Sequence, residues 1–181
     1  GEQVMKKYNI AVVPLDGVGK ELHPYGAEVL KKAQKIVGGF EFDFQWYEAG
    51  VEYACKTGKG MPDHFYEDMC AADAMYCGSS GHFDVEMAKT EYPGFKIGGI
   101  WHFFRRGMGN VIGLRPLTLM PGIPTPLANR DKIDIYLVRE LSEGCYATVG
   151  QEISGTTAYD VQVATRETTE KLARYAFEVA R

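Results

Sequence analysis

This 181-residue sequence predicts an α/β fold with a largely parallel sheet, and two observations carry that reading. From Tyr8 to Cys77, short β-branched or aromatic runs alternate with stretches of helical spacing in the order β-α-β-α-β. Later, a segment rich in Thr, Val, Tyr and Gly predicts a β-hairpin, and an amphipathic helix follows it.

Tyr8–Pro14 (YNIAVVP) is a β-branched apolar run that reads as a buried strand. The glycine turn LDGVGKEL ends it. Lys20–Val37 has helical spacing at Leu22, Tyr25, Ala27, Val29, Leu30, Ala33 and Ile36, and Gly38-Gly39 stops it. Phe40–Glu48 places Phe40, Phe42, Phe44 and Trp46 on one strand face. Met61–Cys70 reads as a short helix starting after Pro62, and Ala74–Cys77 as a second buried strand that ends at Gly78-Ser79-Ser80-Gly81. Ile133–Val138 (IDIYLV) predicts another buried strand, running into Arg139-Glu140. Cys145–Thr165 predicts a hairpin turning near Ser154-Gly155, and Glu167–Arg181 a helix with Leu172, Tyr175, Ala176 and Val179 inward. The boundaries read as 5–108 for a first α/β domain and 109–181 for part of a second, with the hairpin arm at about 145–165.

The net charge of −4 argues against a general nucleic-acid binder, which carries a basic excess. Cys55, Cys70, Cys77 and Cys145 form no C-x-x-C pair and read as reduced thiols of a cytoplasmic protein. No apolar run approaches the ~18 residues of a membrane span. The N-terminus lacks a signal-peptide core; Met5-Lys6-Lys7 reads as a native start preceded by an added GEQV.

Arg105-Arg106, Arg115 and Arg139 stand among apolar residues and glycines. A guanidinium at a buried strand end needs a carboxylate, from the protein or from a ligand. Arginine grips carboxylates in a two-pronged way, so converging arginines suit a di- or tricarboxylate. Residue order alone leaves both partners open. Tyr146, seven residues after Arg139, is either a packed tyrosine or a general acid whose phenolate a nearby cation eases. The DGVGKEL turn lacks both the third glycine of a dinucleotide fingerprint and the Lys-Ser/Thr of a phosphate loop, so it reads as a tight strand-to-helix turn. His23, His64, His82 and His102 show no metal-ligand spacing.

Together these pieces resemble the isocitrate/isopropylmalate dehydrogenase family, nearest its tartrate and D-malate branch. The likeness runs from residue 8 to residue 181. IAVVPLDGVGKEL resembles the family's first strand and GDG-type turn, with Leu15 in place of the first Gly. GKGMPDHFYEDMCAADAMYCGSSG resembles the approach to the cofactor-side loop. FFRRGMGNVIGLRPLTLMPGIPTPL resembles the arginine segment, and IDIYLVRELSEGCYATVG the VRE-T-EG-Y signature. The segment GHFDVEMAKTEYPGFKIGGIW, where the family sets substrate selectivity, departs from the pattern.

The resemblance implies the N-terminal half of an isopropylmalate-dehydrogenase-like fold. It implies that Arg105, Arg115 and Arg139 bind the substrate carboxylates, that Tyr146 is catalytic, and that Gly78, Ser79 and Ser80 lie near the nicotinamide of NAD or NADP. The hairpin is then the arm exchanged in a homo- or hetero-oligomer. Mg²⁺ or Mn²⁺ is implied too, but the family's metal aspartates and its lysine find no match in these 181 residues. The expectation is therefore either a subunit partnered by a separately encoded C-terminal half or a fragment of a longer dehydrogenase. A non-catalytic regulatory or binding subunit is the alternative. Neither nucleic acid nor membrane is expected as a partner.

Overall fold

A computed structural model describes residues 5–80, 99–127 and 132–181. The chain divides into two compact units, residues 1–101 and 102–181. Gly81 and His82, and most of the segment expected to set selectivity, lie outside the described residues.

The first unit is built on a parallel sheet. β1 (Lys6–Val13) lies between β2 (Phe40–Trp46) and β3 (Ala74–Cys77), in the order β2-β1-β3. Register runs Lys6↔Phe40 to Val12↔Trp46 on one side and Ile10↔Ala74 to Val13↔Cys77 on the other. As the central strand, β1 buries Ile10 through Val13, as its apolar run predicts. Phe40, Phe42 and Phe44 line one face of β2, with ring centroids 5.1 and 5.7 Å apart in succession. α1 (Val18–Val37) joins β1 to β2, and Gly38 caps it by donating its N–H to the Gln34 carbonyl. α2 (Val51–Thr57) and α3 (Phe65–Ala71) lead from β2 to β3. α2 was not legible in the sequence.

The helical span of α1 holds, but its buried residues are Gly19, His23 and Ala27. Leu22, Tyr25, Val29 and Ile36 form an exposed stripe on a neighbouring face. One face of a helix suffices to cover a small sheet, and no second layer among the described residues covers the rest.

In the second unit, α4 (Gly99–His102), which straddles the boundary between units, runs into a π-helical turn at Phe103–Gly107. β4 (Ile112–Thr118) pairs antiparallel with β5 (Asp134–Glu140), β6 (Gly144–Ser154) pairs with β7 (Thr157–Val163), and α5 (Arg166–Val179) follows. The hairpin and its turn match expectation. β4 was missed. The expectation that β5 is buried is corrected: Ile135, Tyr136 and Leu137 are exposed. β5 has only β4 as a strand partner among the described residues, and α5 packs on it without covering Ile135–Leu137. In α5 the expected face is right but only half-buried, and none of its residues is fully buried.

Candidate active site

Three of the four predicted residues of the second unit meet at Tyr146. The π turn carries Arg105 and Arg106, closed by the N–H of Met108 donating to the Phe103 carbonyl at 3.0 Å. Such wide turns recur at functional sites because the extra residue re-aims side chains. Here it parts two consecutive arginines. The Arg105 guanidinium lies 5.0 Å from the Tyr146 ring centroid, whereas Arg106 Nη1 donates to the Ala147 carbonyl at 2.8 Å. Arg139, on β5, places its guanidinium 5.4 Å from the same ring and donates from Nη2 to the Tyr146 hydroxyl oxygen. Tyr146 is thus flanked by two cations and accepts a hydrogen bond from one of them.

Arg115 is placed by register. Arg115 pairs with Leu137 and Gly113 with Arg139, so Arg115 and Arg139 are diagonal neighbours on one face of the β4–β5 ladder. Among the described residues neither makes an ion pair with a carboxylate. A cavity of about 310 Å³ beside this cluster is lined by Arg105, Arg106, Ser142, Glu143 and Ala147, among others.

The turn joining β5 to β6 fixes the pair. Glu140 accepts from the N–H and hydroxyl of Ser142, both at 2.6 Å, and from the N–H of Glu143 at 2.9 Å. Burial pushes the Glu140 pKa up, but the three donors outweigh it, and the carboxyl lies below the usual range. Glu143 accepts from the N–H and hydroxyl of Thr165, the N-cap of α5, which also hold its pKa down. Gly144, with φ of +62°, completes the reversal in a conformation that a side chain would strain. The N–H of Tyr146 then donates to the Glu143 carbonyl at 3.1 Å. Glu140 and Glu143 carried no assigned role in the sequence, though their places immediately after Arg139 and before Gly144 are the signal that marks them.

In the first unit, Gly78-Ser79-Ser80 leaves the C-terminal end of β3 beside the β1–α1 turn. Gly78 donates to the Val13 carbonyl at 2.9 Å, and Asp16 donates its N–H to the Ser79 carbonyl at 3.1 Å. In the order β2-β1-β3 the C-terminal ends of the parallel strands β1 and β3 lie side by side here, and open α/β sheets receive ligands at the C-terminal ends of their strands. A Cβ on Gly78 would lie 2.5 Å from the Pro14 carbonyl oxygen, so only glycine permits this approach.

The glycine turn itself is a structural device. Asp16 accepts from the N–H groups of Val51 and Glu52 at 3.2 and 2.9 Å, capping α2. Glu52 in turn accepts from the N–H of Gly17 at 3.1 Å and from Lys20 Nζ, capping α1. The two helices start by exchanging carboxylates. A phosphate would have to displace Glu52 to use the α1 N-terminus. Leu15, where the resembling family turn has Gly, sits at φ of 58°.

All four cysteines are free thiols. No helix among the described residues is long and apolar enough to cross a membrane. No group of three or more His, Cys, Asp or Glu among them can hold a metal ion, so these residues do not by themselves fit Mg²⁺ or Mn²⁺.

Comparison with known proteins matches residues 9–181 to the isocitrate/isopropylmalate dehydrogenase family. The D-malate dehydrogenase (decarboxylating) of Escherichia coli is 38% identical over 184 residues, covering 98% of this chain and 49% of the relative. A probable tartrate dehydrogenase/decarboxylase of Bacillus subtilis is 33% identical over 98% of this chain and 49% of its own length. The crystal structure of isocitrate dehydrogenase from Methylococcus capsulatus shares the fold, with a TM-score of 0.78 at 23% identity over 96% of this chain and 48% of that one. The chain spans about half the length of the curated relatives it matches. On the extent of that match, the chain belongs to the isocitrate/isopropylmalate dehydrogenase family.

Proposed function

We propose that this chain supplies the substrate-binding wall of an NAD(P)-dependent, metal-requiring dehydrogenase. Its substrate class is a 2-hydroxy di- or tricarboxylic acid of the D-malate, tartrate or isopropylmalate type, oxidised and then β-decarboxylated. The observation that carries the proposal is the approach of the Arg105 and Arg139 guanidinium groups to Tyr146, with Arg115 on the ladder face of Arg139.

In this reading Arg105, Arg115 and Arg139 grip the carboxylates and orient C2–H. Gly78, Ser79 and Ser80, whose small side chains allow close approach, would lie against the dinucleotide, which would supply the hydride acceptor for C2. Loss of the β-carboxylate as CO₂ leaves an electron pair at C3, and the Tyr146 hydroxyl delivers its proton there. Because Arg139 donates to the Tyr146 oxygen, the hydroxyl proton is directed away from Arg139, and the guanidinium stabilises the phenolate left behind. No step is assigned to the metal, whose ligands the described residues do not provide.

The first unit then belongs to the large α/β domain and the second to the small one. The β6–β7 hairpin is the arm that an oligomeric partner receives, and the setting is cytoplasmic. A C-terminal half, in the same chain or a separate subunit, completes the site. The test mixes this chain with such a half and follows Mg²⁺-dependent NAD(P)⁺ reduction with D-malate, tartrate and isopropylmalate. Turnover supports the reading. Tight dicarboxylate binding with no turnover in any mixture supports a regulatory subunit instead.

A further inference from the structure

His23 has no part in the chemistry above, yet it forms the floor of the Gly78–Ser80 loop. It is 5% exposed on α1. Its Nδ1 stands 2.8 Å from the Gly19 carbonyl oxygen, so Nδ1 carries the proton and donates. Its ring stacks on Tyr76, with centroids 4.2 Å apart and planes at 27°. A Cβ on Gly78 would fall 2.3 Å from the ring's Cε1 and 3.0 Å from Nδ1. The remaining nitrogen, Nε2, is buried with no hydrogen-bond partner among the described residues. A buried polar atom left unpaired is unusual and costs stability unless some state of the molecule uses it.

We propose that His23 is a positioning residue for the Gly78–Ser80 loop, holding it in place while the imidazole is neutral and releasing it when Nε2 gains a proton. The proton comes from solvent, and no other bond changes. Among the described residues a cation here finds no acceptor for its new N–H, and its ring lies against the Gly78 backbone. The titratable groups on the surrounding elements do not help. Asp16, in the β1–α1 turn, spends its carboxylate on the N–H groups of Val51 and Glu52. From β3, Tyr76 offers its ring face, and burial pushes the Cys77 thiol pKa up, which keeps it neutral. Lys20, at the start of α1, and Glu52, at the start of α2, are paired with each other. The loop's importance rests on its assignment to the cofactor, but its coupling to His23 does not.

The test records amide and histidine-ring NMR spectra of the 181-residue chain between about pH 7.5 and about pH 5, the range in which imidazoles titrate. The expected result is that the amides of Asp16, Gly78 and Ser79 shift in step with the His23 ring. In His23→Asn, which can keep the bond to Gly19 but cannot titrate, the same amides should move by less than about a tenth as much. Loop amides that ignore the His23 titration overturn the proposal. So does a His23 that stays neutral until the chain unfolds, or a His23→Asn chain whose amides move as in the wild type. If that variant fails to fold, the wild-type titration alone decides. Adding NAD⁺ near neutral pH to the chain assembled with its C-terminal half is a separate arm: no change at Gly78–Ser80 removes the cofactor assignment and leaves the His23 coupling standing.

Discussion

Leu15 allows a sharp test of how the β1–α1 turn is built. It combines a left-handed φ of 58° with 2% exposure. A non-glycine residue in this region carries a penalty of about 1–2 kcal/mol, while deleting a buried leucine side chain costs about 2–5 kcal/mol. Leu15→Ala loses the packing and keeps the penalty. Leu15→Gly loses the packing but removes the penalty, against about 0.4–1 kcal/mol of extra unfolded-state entropy. Both variants should be less stable than the wild type, with Gly above Ala by about 0.5–1 kcal/mol. That reverses the usual order. Trp46 lines the same cavity as Leu15, so its fluorescence during urea unfolding, in a Trp101→Phe background, reports on this unit. An alanine variant as stable as the glycine variant would refute the reasoning.

Arg139→Lys removes the planar fork and the bond to Tyr146. It should weaken dicarboxylate binding by about tenfold to a hundredfold in calorimetry, the worth of a charged hydrogen bond; unchanged affinity counts against the clamp. Tyr146→Phe in the assembled enzyme should slow protonation at C3 by about 10²–10⁴-fold and spare hydride transfer. Single-turnover measurements separate the two steps, and equal losses would assign Tyr146 to positioning only. The depressed Glu140 pKa means that its contribution to stability is complete above the ordinary glutamate value of 4.5 and is lost as pH falls through its lower folded value. Glu140→Gln should therefore lower the urea midpoint at pH 7 and flatten its decline on acidification below about pH 4.5. A variant that keeps the wild-type acid limb would show that other carboxylates set it.

Elements whose determinants are local in sequence were readable without a structure. β1, α1, β3 and the β6–β7 hairpin follow from apolar runs, helical spacing and glycine turns. α2 was hidden because its N-terminus carries no capping side chain of its own; Asp16, 35 residues earlier, does that work. β4 was hidden by Pro116, which a strand tolerates only where its missing N–H is not needed. In the site, the arginine motifs pointed to Arg105, Arg115 and Arg139, but no spacing rule says that two of them close on Tyr146. That depends on the Glu140 turn and on ladder register. His23 has no spacing in the sequence that marks it, since its setting is made by Gly78 and Tyr76, more than fifty residues away.

The π turn at Phe103–Gly107 makes chain length itself a determinant of the site. Successive residues of an α-helix are rotated by about 100°, so removing one residue to restore an ordinary helix would swing the following side chains by about that angle. Arg105 would leave the ring of Tyr146, and Arg106 would leave the Ala147 carbonyl. No change in composition is needed for that loss. In this segment a one-residue gap is more damaging than many substitutions.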